Sequence, residues 1–241
     1  MISVIIPTYN EEENIERCLR SLERQTIPRS RFEVIVVDGQ SRDHTVEIAE
    51  RYADRVIQQV SKGVGGARND GARIARGRVI VNTDADCLPP PNWLESIMRC
   101  FEDERVLAAT GLLKPVLGDL DDDERAAYNV LFEISNLFVL IAAKLGFYHL
   151  CGANTAFNRD VFNKVGGYSD LPYSDDVEIV RRLRPLGRIA VSKDIWVNYS
   201  IRRIRKLGLV KYAFMIFRND WTVMFFDHKP VRDDYAKQNY N

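Results

Sequence analysis

The chain has 241 residues, which is enough for one large domain with a sizeable core or for two closely joined halves. Its 34 basic and 34 acidic residues give a formal net charge of zero, which argues against a nucleic-acid-binding protein. The four cysteines show no C-x-x-C spacing, so we expect free thiols in a reducing compartment. No signal peptide is predicted, and the most apolar run, residues 137–143, is too short to span a bilayer. We therefore expect a soluble or peripheral protein.

The first part of the chain alternates short apolar runs with segments of helical periodicity. Strands are predicted at residues 3–7, 32–37 and 56–57. Asn10 and Glu13 are spaced much as in a capping box for the first helix, and Asp43 is predicted to begin a second helix that runs through Ala53. This β-α-β-α-β alternation implies right-handed crossovers, so the predicted fold class is α/β, with a mostly parallel sheet flanked by helices.

Two features at the ends of these segments each leave two interpretations open. Asp38 ends the second strand before Gly39, so it is either a turn residue or a hydrogen-bond acceptor for the base or ribose of a nucleotide. A glycine-rich loop is predicted to run into a helix that carries Arg68 in its first turn. There the guanidinium either meets a phosphate or carbonyl or pairs with a nearby acid such as Asp70.

An apolar strand, residues 79–81, runs almost directly into two acids, Asp84 and Asp86. A run this short is typical of a strand buried on both faces, and open α/β sheets bind their ligands beyond the carboxyl ends of such strands. In extended backbone the two side chains would share one face, about 6–7 Å apart. Carboxylates in this arrangement suit Mg²⁺ or Mn²⁺, with water and substrate phosphates as the remaining ligands.

The middle of the chain is predicted to contain helices at 92–101 and 125–145, with a strand between them at 106–116. The acidic run at 119–124 is interpreted as a solvated loop before the second of these helices, with a metal cage as the alternative. In that helix Leu131, Ile134, Phe138 and Ile141 recur at helical spacing, which favours packing in the core.

Four stretches in series, residues 4–11, 37–45, 66–69 and 84–86, resemble the nucleotide-sugar half of family 2 glycosyltransferases, which have the GT-A fold. One departure is Gly39, where that family often has a second Asp. The resemblance implies that the nucleotide is held by Pro7, Tyr9, Asp38 and Arg68, with Asp84 near the ribose and the metal. Asp86 would then be a direct ligand of Mn²⁺ or Mg²⁺.

The resemblance continues in the second half of the chain. Gly152, Ala153 and Asn154 match the segment beneath donor sugar and acceptor, where glycine allows close approach and the amide of asparagine can meet sugar hydroxyls. Asp175 and Asp176 resemble the acidic motif of the family, with Asp176 in the place of the catalytic base. The alternative for both acids is plain capping of a helix N-terminus.

Two further comparisons with the family pattern concern the C-terminal part of the chain. Asn198 and Tyr199 stand where the family frequently has a histidine. The Q-x-x-R-W signature of processive polymer synthases is absent, which favours transfer of a single sugar.

The resemblance implies an inverting, metal-dependent glycosyltransferase that uses a nucleotide-sugar donor, with UDP favoured over GDP, and a carbohydrate or lipid-linked acceptor. Two alternatives stay open: a nucleotidyltransferase of the same fold, and a non-catalytic protein that binds nucleotide sugars. A nucleotidyltransferase usually has a glycine-rich loop after the first strand, where this chain has residues 8–10, Thr-Tyr-Asn.

We predict one catalytic domain at 1–200, with a nucleotide-sugar half at 1–88 and an acceptor half at 89–200, followed by a helical arm at 201–241. The arm begins with a basic cluster, formed by Arg202, Arg203, Arg205, Lys206 and Lys211. An apolar stripe follows, consisting of Leu207, Val210, Phe214, Phe217 and Trp221. The arm is interpreted either as a contact with a membrane surface or as a packing or homodimer element. The expected location is cytoplasmic, at the inner face of the cell membrane if the arm binds lipid.

Overall fold

The strands form one seven-stranded sheet, and helices cover both of its faces. The strands are β1 (Ile2–Thr8), β2 (Phe32–Asp38), β3 (Arg55–Gln58), β4 (Val79–Asn82), β5 (Val106–Val116), β6 (Thr155–Asn158) and β7 (Arg188–Ser200). The described helices are α1 (Ile15–Glu23), α2 (Thr45–Ala49), α3 (Gly63–Ile74), α4 (Trp93–Cys100), α5 (Asp122–Lys144), α6 (Arg159–Lys164), α7 (Asp175–Leu183) and α8 (Arg202–Leu207). This computed structural model describes residues 1–118, 120–171 and 174–208, and also Lys211, Tyr212, Phe214, Met215 and Arg218.

The strand order is β3-β2-β1-β4-β6-β5-β7, and β6 runs antiparallel to both of its neighbours. The other pairings are parallel, so the predicted α/β class with a mostly parallel sheet is confirmed. The chain moves outward from β1 through β2 to β3 and then returns to place β4 on the other side of β1. Such a reversal of strand order opens a crevice at the carboxyl ends of the strands, which is where ligands bind in this kind of sheet.

The apolar residues of β1 show why the sheet is buried on both faces. Val4 and Ile6 pack on the side that carries α1 and α4, whereas Ile5 packs on the side that carries α3 and α7. Successive side chains of a strand point to opposite faces, so a strand covered on both sides must be apolar throughout. Burial on both faces therefore explains why residues 4–6 of β1 are all apolar.

The first two helices begin later than the sequence predicts. Helix α1 starts at Ile15, and the predicted capping box is wrong because Asn10 has a left-handed backbone with φ of 51°. The Asn10 side chain instead accepts a hydrogen bond from the Arg42 N–H at 2.9 Å, which joins two loops of the site edge. Helix α2 covers only Thr45–Ala49, and Asp43 lies before it, accepting a bond from the Thr45 N–H at 3.0 Å.

The glycine-rich stretch is helical, which corrects the predicted loop, because α3 already begins at Gly63. Arg68 therefore lies in the second turn of α3. Close packing explains the glycines: a Cβ atom on Gly65 would lie 2.2 Å from Oδ2 of Asp175. The glycines thus allow α3 to approach the N-terminus of α7, and they do not form a phosphate-binding loop.

Helix α5 differs most from its predicted role. Ile134, Phe138 and Ile141 are 63%, 68% and 49% exposed, so the prediction that they pack in the core is wrong. Phe132 is the buried residue of the helix. By length and composition alone, α5 is long enough and apolar enough to cross a membrane, and it is the one such helix among the described residues. This corrects the estimate that the apolar run was too short.

Helix α8 opens the predicted C-terminal arm directly after β7. Of the predicted apolar stripe, Val210, Phe217 and Trp221 lie outside the described residues. The predicted division at residues 88 and 200 stays a prediction, although one continuous sheet joins the two halves through the pairing of β4 with β6.

Candidate active site

The predicted site residues meet at one edge of the sheet, where β1, β2 and β4 end. Register places Thr8 beside Asp38 and Asn82 beside Thr155, so the 3₁₀ turn Gly152–Asn154 before β6 lies at this same edge. Helix α7 begins there as well, because the Gly152 N–H donates to Oδ2 of Asp176 at 3.0 Å. The edge therefore gathers acids from the β4 end and from the start of α7.

Asp84 and Asp86 converge through a turn. Strand β4 ends at Asn82, and the Cys87 N–H donates to the Asp84 carbonyl at 3.0 Å, which closes the turn. Ligand atoms of Asp84, Asp86 and Cys87 all lie within 4.8 Å of one another. The predicted extended spacing is wrong, since the turn brings the two carboxylates closer than a strand would.

The two carboxylates fit a hard divalent cation, whereas the thiol does not. Burial, with the negative charges of Asp84 and Asp86, raises the pKa of the Cys87 thiol well above its ordinary value, so the thiol stays protonated. Carboxylate oxygens are the ligands that Mg²⁺ and Mn²⁺ prefer. Asp84 and Asp86 are therefore the residues that could hold such an ion here, with the other positions left to water and phosphate.

Asp86 has a cationic neighbour that the sequence did not indicate. Nε of Arg202 lies 3.1 Å from Oδ2 of Asp86, and the same guanidinium bonds to Glu11. Burial and the charge of Asp84 raise the pKa of Asp86 to about 6, although Arg202 opposes the shift. In the sequence, Arg202 is one of the five residues of the basic cluster that begins the arm, and nothing there distinguishes it from the others.

Arg68 lies at the centre of the site, buried between its two halves. Its Nη2 donates to Oδ1 of Asp84 at 2.8 Å, and its guanidinium lies over the ring of Tyr168, 5.7 Å from the centroid. Burial opposes its charge, but the negative charge of Asp84, supported by Tyr168, Asp175 and Asp176, outweighs burial and raises the pKa of Arg68. Asp70, the predicted alternative partner, bonds to Arg73 instead. In this structure Arg68 is a counter-ion for the acids of the site, and its contact with a nucleotide stays a prediction.

Gly152 and Asn154 have contacts within the protein, and their predicted contacts with sugar stay predictions. A Cβ atom on Gly152 would lie 2.3 Å from Nη1 of Arg68, so the guanidinium fills the space expected for a ligand. Asn154 is fully buried, and its oxygen accepts from the Trp93 indole at 2.8 Å while its amide donates to the Leu112 carbonyl at 3.0 Å. Ala153, between them, is also buried.

Asp175 and Asp176 differ in their surroundings although they are adjacent. Asp176 accepts bonds from Gly152 and from its own helix at the Val177 N–H, so capping accounts for part of its role. Oδ2 of Asp175 is buried without a hydrogen-bond partner among the described residues. Burial and the charge of Asp176 raise the pKa of Asp175, with Arg68 opposing them. The pair thus offers one carboxylate that backbone N–H groups hold at both oxygens and one with an oxygen that lacks a partner among the described residues.

The predicted nucleotide residues Pro7, Tyr9 and Asp38 lie at the same edge, at the ends of β1 and β2. Both oxygens of Asp38 are bonded within the protein, to the Ser41 N–H at 2.9 Å and to the Ser41 hydroxyl at 2.6 Å. This supports the turn interpretation of Asp38, and its contact with a base stays a prediction. Asn198, in the place of the family histidine, donates to the Leu88 carbonyl at 3.1 Å.

Solved structures with the same architecture include two transferases. A mannosyltransferase from Pyrobaculum calidifontis, in complex with GDP-Man and Mn²⁺, superposes with a TM-score of 0.67 and 26% identity over 92% of this chain and 67% of that one. Staphylococcus aureus TarS, in complex with UDP-GlcNAc, gives a TM-score of 0.65 over 83% of this chain and 58% of that one, at 24% identity.

Relatives by sequence are glycosyltransferases as well. AglE of Haloferax volcanii is 42% identical over 100 residues, which is 39% of this chain and 33% of that protein. The probable glycosyltransferase YdaM of Bacillus subtilis is 26% identical over 205 residues, 77% of this chain and 47% of that one. The chain thus matches about a third to a half of the length of these two relatives.

The model of glycosyl transferase family 2 matches residues 3–166, which is more than half of the chain and includes the edge that holds Asp38, Arg68, Asp84 and Asp86. The protein therefore belongs to glycosyl transferase family 2 and has the GT-A fold.

Proposed function

We propose that the protein transfers one sugar from a nucleoside-diphosphate sugar to an acceptor hydroxyl or phosphate, with inversion at the anomeric carbon. The observation that carries this proposal is the convergence of Asp84 and Asp86 with Asp175 and Asp176 around one buried arginine, Arg68. The relatives whose structures contain UDP-GlcNAc or GDP-Man support a nucleotide-sugar donor. UDP is the favoured nucleotide, and GDP is the alternative that the mannosyltransferase supports.

Asp84 and Asp86 would hold Mn²⁺ or Mg²⁺, and the Mn²⁺ in the related mannosyltransferase supports this assignment. When bound, the ion would supply positive charge for the leaving diphosphate. Arg68 keeps Asp84 in place through its bond and contributes a second positive charge to the same region, which favours a developing anion. Pro7, Tyr9 and Asp38 are proposed to hold the nucleoside at the ends of β1 and β2.

Asp176 is proposed as the base that accepts the proton of the acceptor hydroxyl. It lies at the start of α7, and its carboxylate is oriented by the Gly152 N–H. An oxygen that loses its proton there would attack the anomeric carbon from the face opposite the nucleotide, so a single displacement inverts the configuration. Asp175, whose raised pKa makes it a stronger base, is the second candidate for the same step.

The experiment is transfer from a panel of UDP- and GDP-sugars, with the anomeric configuration of the product read by NMR. Asp176→Asn should keep donor affinity and lose transfer by about 10²-fold or more. Asp175→Asn is the matched variant, because it removes a neighbouring charge of the same helix turn. If Asp176→Asn transfers normally while Asp175→Asn is inactive, the base is Asp175; a product with retained configuration contradicts the single displacement.

A further inference from the structure

Helix α5 carries a continuous apolar surface that the described part of the chain leaves uncovered. This surface, the α5 stripe, consists of exposed large hydrophobic residues at helical spacing: Val130, Ile134, Leu137, Phe138, Ile141 and, just past the helix end, Leu145. Residues three, four, seven and eight apart share one face of a helix, so the stripe forms a single band. Soluble proteins rarely expose a continuous apolar band of this size without a binding role.

The opposite face of α5 fixes the helix to the domain. Phe132 is buried against Tyr199, with their ring centroids 6.4 Å apart. One turn further on, the Asn136 side chain accepts from the Leu113 N–H at 3.1 Å and donates to the Leu113 carbonyl at 2.8 Å. These contacts hold α5 against β5 and β7 with its stripe outward, and leaving the domain to span a bilayer would break them.

The composition of α5 favours lipid over a single packed partner. Residues 137–143 are seven apolar residues in a row, so this part of the helix is apolar on every side. A contact with one other helix would need only the stripe. Lys144 is exposed at the margin of the stripe, where its long side chain can extend to lipid headgroups. Glu133 is also exposed at this margin.

Basic residues lie beside the same helix. Ile204 of helix α8 belongs to the same apolar cluster as Phe132 of α5. Its exposed residues include Arg205 and Lys206, and Lys211 is exposed shortly after it; none of the three has an ion pair within the described part of the chain. An exposed apolar band next to unpaired basic side chains is complementary to the surface of a bilayer that contains anionic lipid.

The acids in the first turn of α5 do not lie under the stripe. Asp122, Asp123 and Glu124 precede Val130 by six to eight residues, which is about 9–12 Å along a helix. These acids complement the positive end of the helix dipole, and they can stay in water while the later turns contact lipid.

We propose that the α5 stripe, together with the basic residues of α8, docks the protein flat on an anionic bilayer surface. Docking would present the site to an acceptor that is itself held in the bilayer, that is, a sugar or phosphate headgroup on a lipid. This role of docking rests on the proposed function. Gly152 follows Leu145 by seven residues, so the chain keeps this part of the site edge within about 25 Å of the end of the stripe.

The test is flotation with vesicles of phosphatidylcholine alone and of phosphatidylcholine with phosphatidylglycerol, at low and high salt. The protein should float with the anionic vesicles at low salt, and the double variant Ile134→Glu, Phe138→Glu should bind at least about 10-fold more weakly. Asn129→Glu is the control: it adds one acidic charge at an exposed position of the same helix outside the stripe, and flotation should be kept. Arg205→Gln tests the contribution of the basic residues of α8: its binding to anionic vesicles should be about five-fold weaker and should depend less on salt.

Three results would overturn the proposal. The first is wild-type protein that does not float with anionic vesicles at low salt, and the second is a double variant that floats as well as wild type. The third is wild-type protein that binds no vesicles and is a dimer in solution while the double variant is a monomer, which would assign the stripe to a second copy of the chain. Stabilisation by UDP or GDP with Mn²⁺, measured on the same variants by thermal unfolding, reports on the proposed function separately from docking.

Discussion

Replacing Asp86 by asparagine should stabilise the metal-free protein at neutral pH. The Asp86 side chain is only 12% exposed, and burial together with the charge of Asp84 raises its pKa from the ordinary 3.8 to about 6, even with Arg202 beside it. A difference of about 2 pKa units corresponds to roughly 3 kcal/mol of unfolding free energy at most. The neutral amide of Asp86→Asn avoids this cost and keeps the shape of the side chain.

The sign of the pH dependence follows from the direction of the shift. Because the pKa of Asp86 is higher in the folded state than in the unfolded chain, its ionisation destabilises the fold. The cost is fully present above pH about 6, falls to about half near pH 5, and vanishes below pH about 4. The advantage of Asp86→Asn should shrink over the same range.

Thermal unfolding in EDTA, followed by circular dichroism near pH 7.5 and pH 5, measures this difference. For a chain of this size, each kcal/mol moves Tm by about 2–4 °C, so Asp86→Asn should gain up to about 6–12 °C near pH 7.5. Glu104→Gln removes an exposed acid and serves as the control, with an expected change within about 2 °C. An Asp86→Asn variant that is no more stable than wild type, or whose gain does not depend on pH, would refute the reasoning.

Two further substitutions test the contacts around the two arginines. Arg202→Gln should raise the affinity for Mn²⁺ in the absence of nucleotide, because the guanidinium no longer competes with the ion for the Asp86 carboxylate. Calorimetric titration measures this affinity, and an unchanged or lower value would contradict the competition. Gly152→Ala should lower the unfolding free energy by about 1–3 kcal/mol in denaturant titrations, because its Cβ would lie 2.3 Å from Nη1 of the buried Arg68. A fully stable Gly152→Ala protein would mean that the guanidinium can move aside.

The sheet and the site edge could be predicted because the physics that determines them is local. An apolar run that ends in an acid, as at Asp38 and Asp84, indicates a strand buried on both faces whose carboxyl end opens on the site. The strands and the positions of both acids at one edge are confirmed in the structure.

What the sequence could not provide is the partner of each polar group. Asn154 has the right chemistry for a sugar contact, yet a buried indole and a backbone carbonyl already use its amide. The pairing of Asp86 with Arg202 joins residues that are far apart in the chain, so no spacing rule finds it. The periodicity of α5 correctly predicts a helix, but periodicity does not say whether core, protein or lipid covers the apolar face.

The most direct test of the central claim is calorimetric titration of the protein with UDP and with GDP, once in Mn²⁺ and once in EDTA. If Asp84 and Asp86 hold a divalent cation for a nucleotide-sugar donor, one of the two nucleotides should bind in Mn²⁺. Its binding should weaken by at least about 10-fold both in EDTA and in Asp86→Asn. Binding that is equally tight in EDTA, and equally tight in Asp86→Asn, would contradict the account.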